Sequence, residues 1–125
     1  MRFAVLLHQP SHDSTESEHF DLLLEHNGSL LTWRLPIEPL LEENRCQAKQ
    51  LSPHRLVYLT YEGPISGNRG AVKRIASGEL EWNNLPCSQT GPLMATLKTA
   101  EVWALTLTPP PDQASDWVVE WHRLR

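Results

Sequence analysis

Cations in excess are what this chain lacks: 11 Lys and Arg stand against 15 Asp and Glu over 125 residues, a formal net charge of −4. A protein that grips duplex nucleic acid through many phosphates usually carries a basic face, so extensive duplex binding is disfavoured. Local clusters at Arg69, Lys73 and Arg74, and at Arg123 and Arg125, leave room for contact with a strand end. Cysteine is scarce as well. Cys46 and Cys87 could pair in principle, but two cysteines without CxxC spacing say little about disulfides or zinc, and both are expected reduced. No apolar run approaches the ~20 residues that span a bilayer. The opening Met1–His8 has only a short apolar stretch, unlike a signal peptide. The expectation is a cytoplasmic protein without a membrane partner. No internal repeat is present, and the glycines Gly63, Gly67 and Gly70 lack the Lys-Ser/Thr of a phosphate-binding P-loop.

What the chain has is 40% apolar and 21% charged residues, enough apolar surface to exclude disorder. The length suits a single domain over 1–125. Its apolar residues come in short runs punctuated by turn residues, the signature of strands. Strands are predicted over 3–7, 19–25, 30–35, 55–61, 70–76, 79–82, 97–107 and 117–123. Asn27-Gly28 is a strong hairpin signal, and Ser77-Gly78 is read as a second turn. Residues 37–46 are the one plausible short helix, limited by Pro36 and Pro39. Residues 11–18, 83–91 and the stretch from Pro109 onward are expected to be mobile connections. The predicted fold is all-β: a small closed or partly open antiparallel β-barrel with one short helical segment.

The chemistry-bearing segment is His19-Phe20-Asp21-Leu22-Leu23-Leu24-Glu25. Residues two apart on a strand share a face. Phe20, Leu22 and Leu24 are therefore expected in a core, and His19, Asp21, Leu23 and Glu25 on the opposite face. A histidine and an aspartate at i and i+2 can converge on one ion. By itself the pattern is weak, because such spacings arise by chance. Blander readings stand beside it: His8 as the end of a strand, His12, His26 and His122 as solvent-facing, Tyr58 as a core tyrosine, and Trp33, Trp82, Trp103, Trp117 and Trp121 as packing rather than base-stacking groups.

Taken in order, several segments resemble the 3'-phosphoesterase domain of bacterial DNA ligase D. They are His8 at the end of the first strand, His19-Phe20-Asp21, Trp33, His54 with Tyr58, Tyr61-Glu62-Gly63-Pro64-Ile65, the stretch Gly67-Asn68-Arg69-Gly70-Ala71-Val72, and Gly78-Glu79-Leu80-Glu81-Trp82. Beyond Pro86 nothing is recognised. The resemblance implies a small β-barrel enzyme in which His8, Asp21 and His54 hold a divalent metal, typically manganese, with zinc or another transition metal possible. It implies that His19 contacts the scissile phosphate and assists proton transfer, and that the Tyr58 hydroxyl orients that phosphate. Arg55, Arg69 and Glu25 are weaker candidates for contact with substrate. Two departures concern charge: the family carries arginine where this chain has Leu23, and lysine where it has Ile37. Arg34, Arg55 or Arg69 are the candidate replacements.

Three function classes follow. The first is a metal-dependent phosphoesterase that removes a 3'-phosphate or 3'-ribonucleotide from a nucleic-acid end in DNA repair. The second is a non-catalytic, metal-containing module that recognises a strand end or a DNA-repair protein partner. The third, an iron oxygenase using two histidines and one carboxylate, is disfavoured by the short chain.

Overall fold

A computed structural model of the chain describes residues 1–84, 91–111 and 116–124. The strands are β1 (Arg2–Gln9), β2 (His19–His26), β3 (Ser29–Leu35), β4 (Asn44–His54), β5 (Gly63–Pro64), β6 (Ala71–Trp82), β7 (Leu93–Lys98), β8 (Val102–Thr108) and β9 (Trp117–Leu124), with one 3-10 turn at Leu56–Leu59. All pairings are antiparallel. Following the hydrogen bonds from β1 leads through β2, β3, β4, β9, β8, β7 and β6, and β6 pairs back with β1. The result is a barrel-like ring, with β5 as a two-residue addition to β6. A closed ladder leaves few unpaired edges, which is how all-β chains avoid exposed edge strands.

Strands from opposite sides of the ring meet in one apolar interior. Phe3 and Val5 of β1, Leu22 and Leu24 of β2, Trp33 and Leu35 of β3, Leu105 and Leu107 of β8 and Trp121 of β9 belong to one buried cluster. Phe20 packs against it, as the alternation in β2 predicts. Trp33, Trp103 and Trp121 are core residues, and Trp82 and Trp117 flank that core. A second, smaller cluster lies on the outer face of β1, β2 and β3. There Ala4, Leu6, Leu23 and Leu30 are covered by Leu59 and Val72, with Tyr58, Tyr61 and Ile65 packed alongside. The segment following β4 thus folds over the polar face of β2 and walls it off from solvent.

Several sequence expectations are corrected. Residues 55–61 form the 3-10 turn rather than a strand, because only Leu59 of Leu56–Leu59 is buried while Leu56 and Val57 face outward. Residues 37–46 form no helix: Leu40 follows Pro39 with a φ of 64°, a left-handed conformation that ends a helical path. From Asn44 the chain enters β4, a strand whose polar sequence hides it. Only Ala48 of that strand is buried. Ser77-Gly78 is no turn either. It lies inside the 12-residue β6, where a Cβ on Gly78 would sit 1.9 Å from the Lys98 carbonyl oxygen. Glycine there permits a close backbone approach. The stretch 97–107 is two strands, β7 and β8, turned at Thr99 to Glu101, where the Thr99 amide donates to the Glu101 carbonyl at 2.8 Å. His26 is not solvent-facing at its polar atoms; both ring nitrogens are buried beside Trp82. Asn27-Gly28, with φ of 49° and 79°, makes the expected two-residue hairpin between β2 and β3. Cys46 carries a free thiol whose pKa burial raises to about 11. Cys87, Arg125 and parts of the 83–91 and post-Pro109 connections lie outside the described residues.

Candidate functional site

Antiparallel register places the polar residues of three strands side by side on the outer face. His8 of β1 is opposite His19 of β2, Leu6 is opposite Asp21, and Asp21 is in turn opposite Arg34 of β3. Arg34 is opposite Lys49 of β4. With the 3-10 turn and residues 65–72 folded over this row, a small cavity of about 170 Å³ forms. His8, Asp21, Arg34, His54, Tyr58 and Arg69 all line it. The structure therefore brings together the three expected metal ligands and Tyr58. His19 is joined to them through His8, and it also lines a neighbouring groove.

Hydrogen bonds determine which ring nitrogens are available. His8 Nε2 lies 2.9 Å from the Arg69 carbonyl oxygen, which can only accept, so Nε2 carries the hydrogen. In a neutral ring, His8 Nδ1 then accepts from His19 Nε2–H at 2.8 Å. Gly70 makes the first of these bonds possible. At a φ of 90°, its α-carbon passes so near β1 that a Cβ would lie 2.1 Å from the Gln9 carbonyl oxygen, and this close crossing sets the Arg69 carbonyl against His8. Burial, above all, lowers the pKa of His19; Arg34 and His8 lower it further, and Asp21 and the Ser17 carbonyl oppose them. These effects together favour the neutral form of His19, whose second nitrogen, Nδ1, lies 3.4 Å from the Ser17 carbonyl oxygen.

His54 is fixed in the other tautomer. Its Nδ1 is 3.0 Å from the Ser52 carbonyl and 3.1 Å from Thr32 Oγ1. The carbonyl requires a hydrogen on Nδ1, and Thr32, whose hydroxyl donates to the Leu30 carbonyl at 3.0 Å, has lone pairs to accept it. Nε2 of a neutral His54 is left as a lone pair. Holding one nitrogen so that the other can ligate is the usual outer support of a metal-binding histidine. Thr32 is fully buried, and reading the sequence did not single it out. A hydroxyl at an apparently ordinary strand position gives no signal before the β3–β4 register is known.

Two buried atoms are orphaned at the centre of the site. Asp21 Oδ1 and Arg34 Nε face each other at 3.7 Å, and neither has a hydrogen-bond partner. Asp21 Oδ1 is also 3.9 Å from His19 Nε2. Buried polar atoms are normally satisfied, so an unbonded carboxylate oxygen against a cavity is a mark of ligand binding. Two imidazoles and a carboxylate around one cavity suit a divalent transition metal by ligand type. As they stand, no three His, Cys, Asp or Glu side chains among the described residues are close enough to hold one ion. The His8 ring is engaged by His19 and Arg69, and ligation through it requires exchanging one of those bonds.

The remaining candidates separate. Arg69 reaches the cavity, but its guanidinium is turned back onto the Ser66 carbonyl and hydroxyl. Arg55 is exposed at the start of the 3-10 turn and is not brought to the cavity. Glu25 lies at the far end of β2, where its carboxylate accepts from the Arg2 amide at 2.7 Å. The Tyr58 ring stacks edge-on between His54 and Tyr61, with centroid distances of 5.6 and 5.8 Å. No helix among the described residues is long and apolar enough to cross a membrane.

Comparison with known proteins adds an independent line. A search of curated proteins returns no match. The family model described as the DNA Ligase D 3'-phosphoesterase domain matches residues 10–107. That span contains His19, Asp21, Arg34, His54 and Tyr58, begins just after His8, and runs beyond Trp82, where the motif resemblance ends. With most of its length matched and its polar residues gathered on one walled cavity, the chain belongs to the DNA ligase D 3'-phosphoesterase domain family.

Proposed function

We propose that this protein is a metal-dependent phosphoesterase acting on nucleic-acid 3' ends, removing a 3'-phosphate or a 3'-ribonucleotide in DNA repair. The observation that supports this most is the small cavity on which His8, Asp21, His54 and Tyr58 converge from separate segments of the family-matched fold. His8, Asp21 and His54 would hold the ion, with manganese as the leading candidate. A divalent metal bound there would polarise the phosphate and make a bound water more acidic.

In the hydrolysis of a 3'-phosphate, the oxygen of water bonds to phosphorus as the bond from phosphorus to the sugar 3'-oxygen breaks. The leaving oxygen takes a proton, giving a 3'-hydroxyl and inorganic phosphate. Tyr58, held between two rings, offers its hydroxyl to a phosphate oxygen. His19, bridged to His8 through Nε2, is placed to contact the phosphate once that bond is exchanged; with its hydrogen shifted to Nδ1, against the Ser17 carbonyl, Nε2 can accept and return a proton. Asp21 Oδ1 stands 3.7 Å from Arg34 Nε on the cavity that both residues line, where the two charges offset each other.

The direct test is phosphate or nucleoside release from a short primer-template bearing a 3'-phosphate or a 3'-ribonucleotide, with manganese and with chelator. Manganese-dependent release that Asp21→Ala abolishes is expected. Release that persists in chelator overturns the metal assignment. Absence of release with manganese still bound, measured by calorimetry, moves the reading to a binding module for strand ends.

A further inference from the structure

Arg34 stands where three hollows meet. It lines the small cavity, a groove of about 480 Å³ on the β3–β4 side, and a third hollow of about 360 Å³ toward Asn68. Its guanidinium donates no hydrogen bond among the described residues, its Nε is buried, and its one ionic neighbour is Asp21 at 3.7 Å. A planar five-donor fork with so many donors unspent, held at the mouth of a cavity, has the form of an oxyanion clamp. The other two candidate cations are committed elsewhere: Arg69 is bonded to Ser66, and Arg55 lies outside the cavity. Leu23 is sealed in the apolar outer cluster, so β2 supplies no cation.

The larger groove bounds what is attached to the phosphate. Its walls combine the apolar surfaces of Leu35, Pro36 and Ala48 with the polar Gln47 and Lys49, and its volume falls within the several hundred Å³ typical of a small-molecule site. Lys49 sits opposite Arg34 in the ladder and extends the positive row by one strand. Beyond it the sign reverses. Glu18 and Asp116 line the same groove, and the whole chain carries −4. A longer polyanion meets carboxylates at the rim rather than further cations.

We infer that Arg34 is the phosphate clamp of this chain and that the adjoining groove seats only the nucleoside bearing that phosphate. The substrate class is therefore short single-stranded 3'-phosphorylated ends, down to a nucleoside 3'-monophosphate. This rests on the phosphoesterase reading above and adds to it the residue and the substrate length.

Two measurements separate the ideas. In the first, manganese-dependent hydrolysis of a nucleoside 3'-monophosphate is compared with that of a single-stranded 3'-phosphorylated dodecamer. The expected kcat/KM values agree within about threefold, with a salt dependence equal to one or two phosphate contacts. A dodecamer preference above about thirtyfold overturns the single-nucleoside groove. In the second, inorganic phosphate is titrated into the manganese-loaded protein by calorimetry. Arg34→Gln is expected to weaken phosphate binding, and to raise KM, by about 10- to 100-fold, the loss of a charged hydrogen-bond pair. Arg34→Lys recovers part of it, because one point charge replaces a two-pronged donor. Unchanged phosphate affinity in a folded Arg34→Gln overturns the clamp. If the wild type hydrolyses neither substrate, the phosphoesterase reading fails, and the phosphate titration still judges Arg34.

Discussion

Replacing Leu23 with arginine puts back the cation that the family carries at this position, and the structure predicts that it will damage the fold rather than restore a contact. Leu23 is 0% exposed and packs with Ala4, Leu6, Leu30 and Leu59 beneath the 3-10 turn. Removing a buried leucine side chain costs ~2–3 kcal/mol or more. Placing a guanidinium there adds a desolvation penalty of several kcal/mol, partly offset where the new side chain reaches Asp21 on the same face. Asp21 already faces Arg34, so a second cation relieves little. A net loss of about 3–5 kcal/mol corresponds to a fall in Tm of about 12–20 °C for a chain of this size. Thermal unfolding followed by circular dichroism, with Leu23→Met as a control expected to cost under ~1.5 kcal/mol, measures it. A Leu23→Arg protein melting within about 4 °C of wild type and turning over a 3'-phosphate end faster would refute the reasoning. It would show that the outer cluster opens readily and that β2, not Arg34, is the natural seat of the clamp.

Three further outcomes are expected. Gly70→Ala, which forces a Cβ to within 2.1 Å of the Gln9 carbonyl at a φ of 90°, should lower urea stability by about 2–4 kcal/mol; Gly28→Ala, which meets open space at a φ of 79°, should cost about 1 kcal/mol. Equal losses would mean that the crossing of Gly70 over β1 is not tight. Thr32→Val should cost about 1–2 kcal/mol and weaken manganese binding by about 10- to 100-fold by removing one of the two acceptors that orient His54 Nδ1–H; unchanged affinity by calorimetry would remove Thr32 from the site. Metal-free protein should lose stability as pH falls below 6.5, the ordinary value for histidine, because the unfolded chain protonates His19 before the folded protein does. That loss levels off below the lowered pKa of the native state, and urea titrations across this range should show a shallower slope for His19→Gln.

The alternation in residues 19–25 was enough to assign faces: Phe20, Leu22 and Leu24 to a core, His19 and Asp21 to the opposite side. A strand's two-residue period is local, and no tertiary contact is needed to impose it. The Asn27-Gly28 turn was legible for the same reason, since its positive φ values are a property of those two residues. β4 escaped notice because its 11 residues bury little beyond Ala48; its place is fixed by hydrogen bonds to β3 and β9, which have no side-chain signature. The 3-10 turn at Leu56–Leu59 was mistaken for a strand because an apolar run reports burial without direction.

The residue types of the candidate site, and their division between two faces, were therefore determined by the sequence alone. Only the tertiary structure decided which of them meet. Arg34 and Thr32 are set beside the candidate site by cross-strand neighbours more than ten residues away, Asp21 and His54 respectively, while Glu25 lies at the far end of β2 and Arg55 outside the cavity wall. Register and the folding-over of residues 55–70 are long-range, set by closure of the whole ring and by the burial of Leu23 and Leu59 against each other, and no local window of the chain contains them.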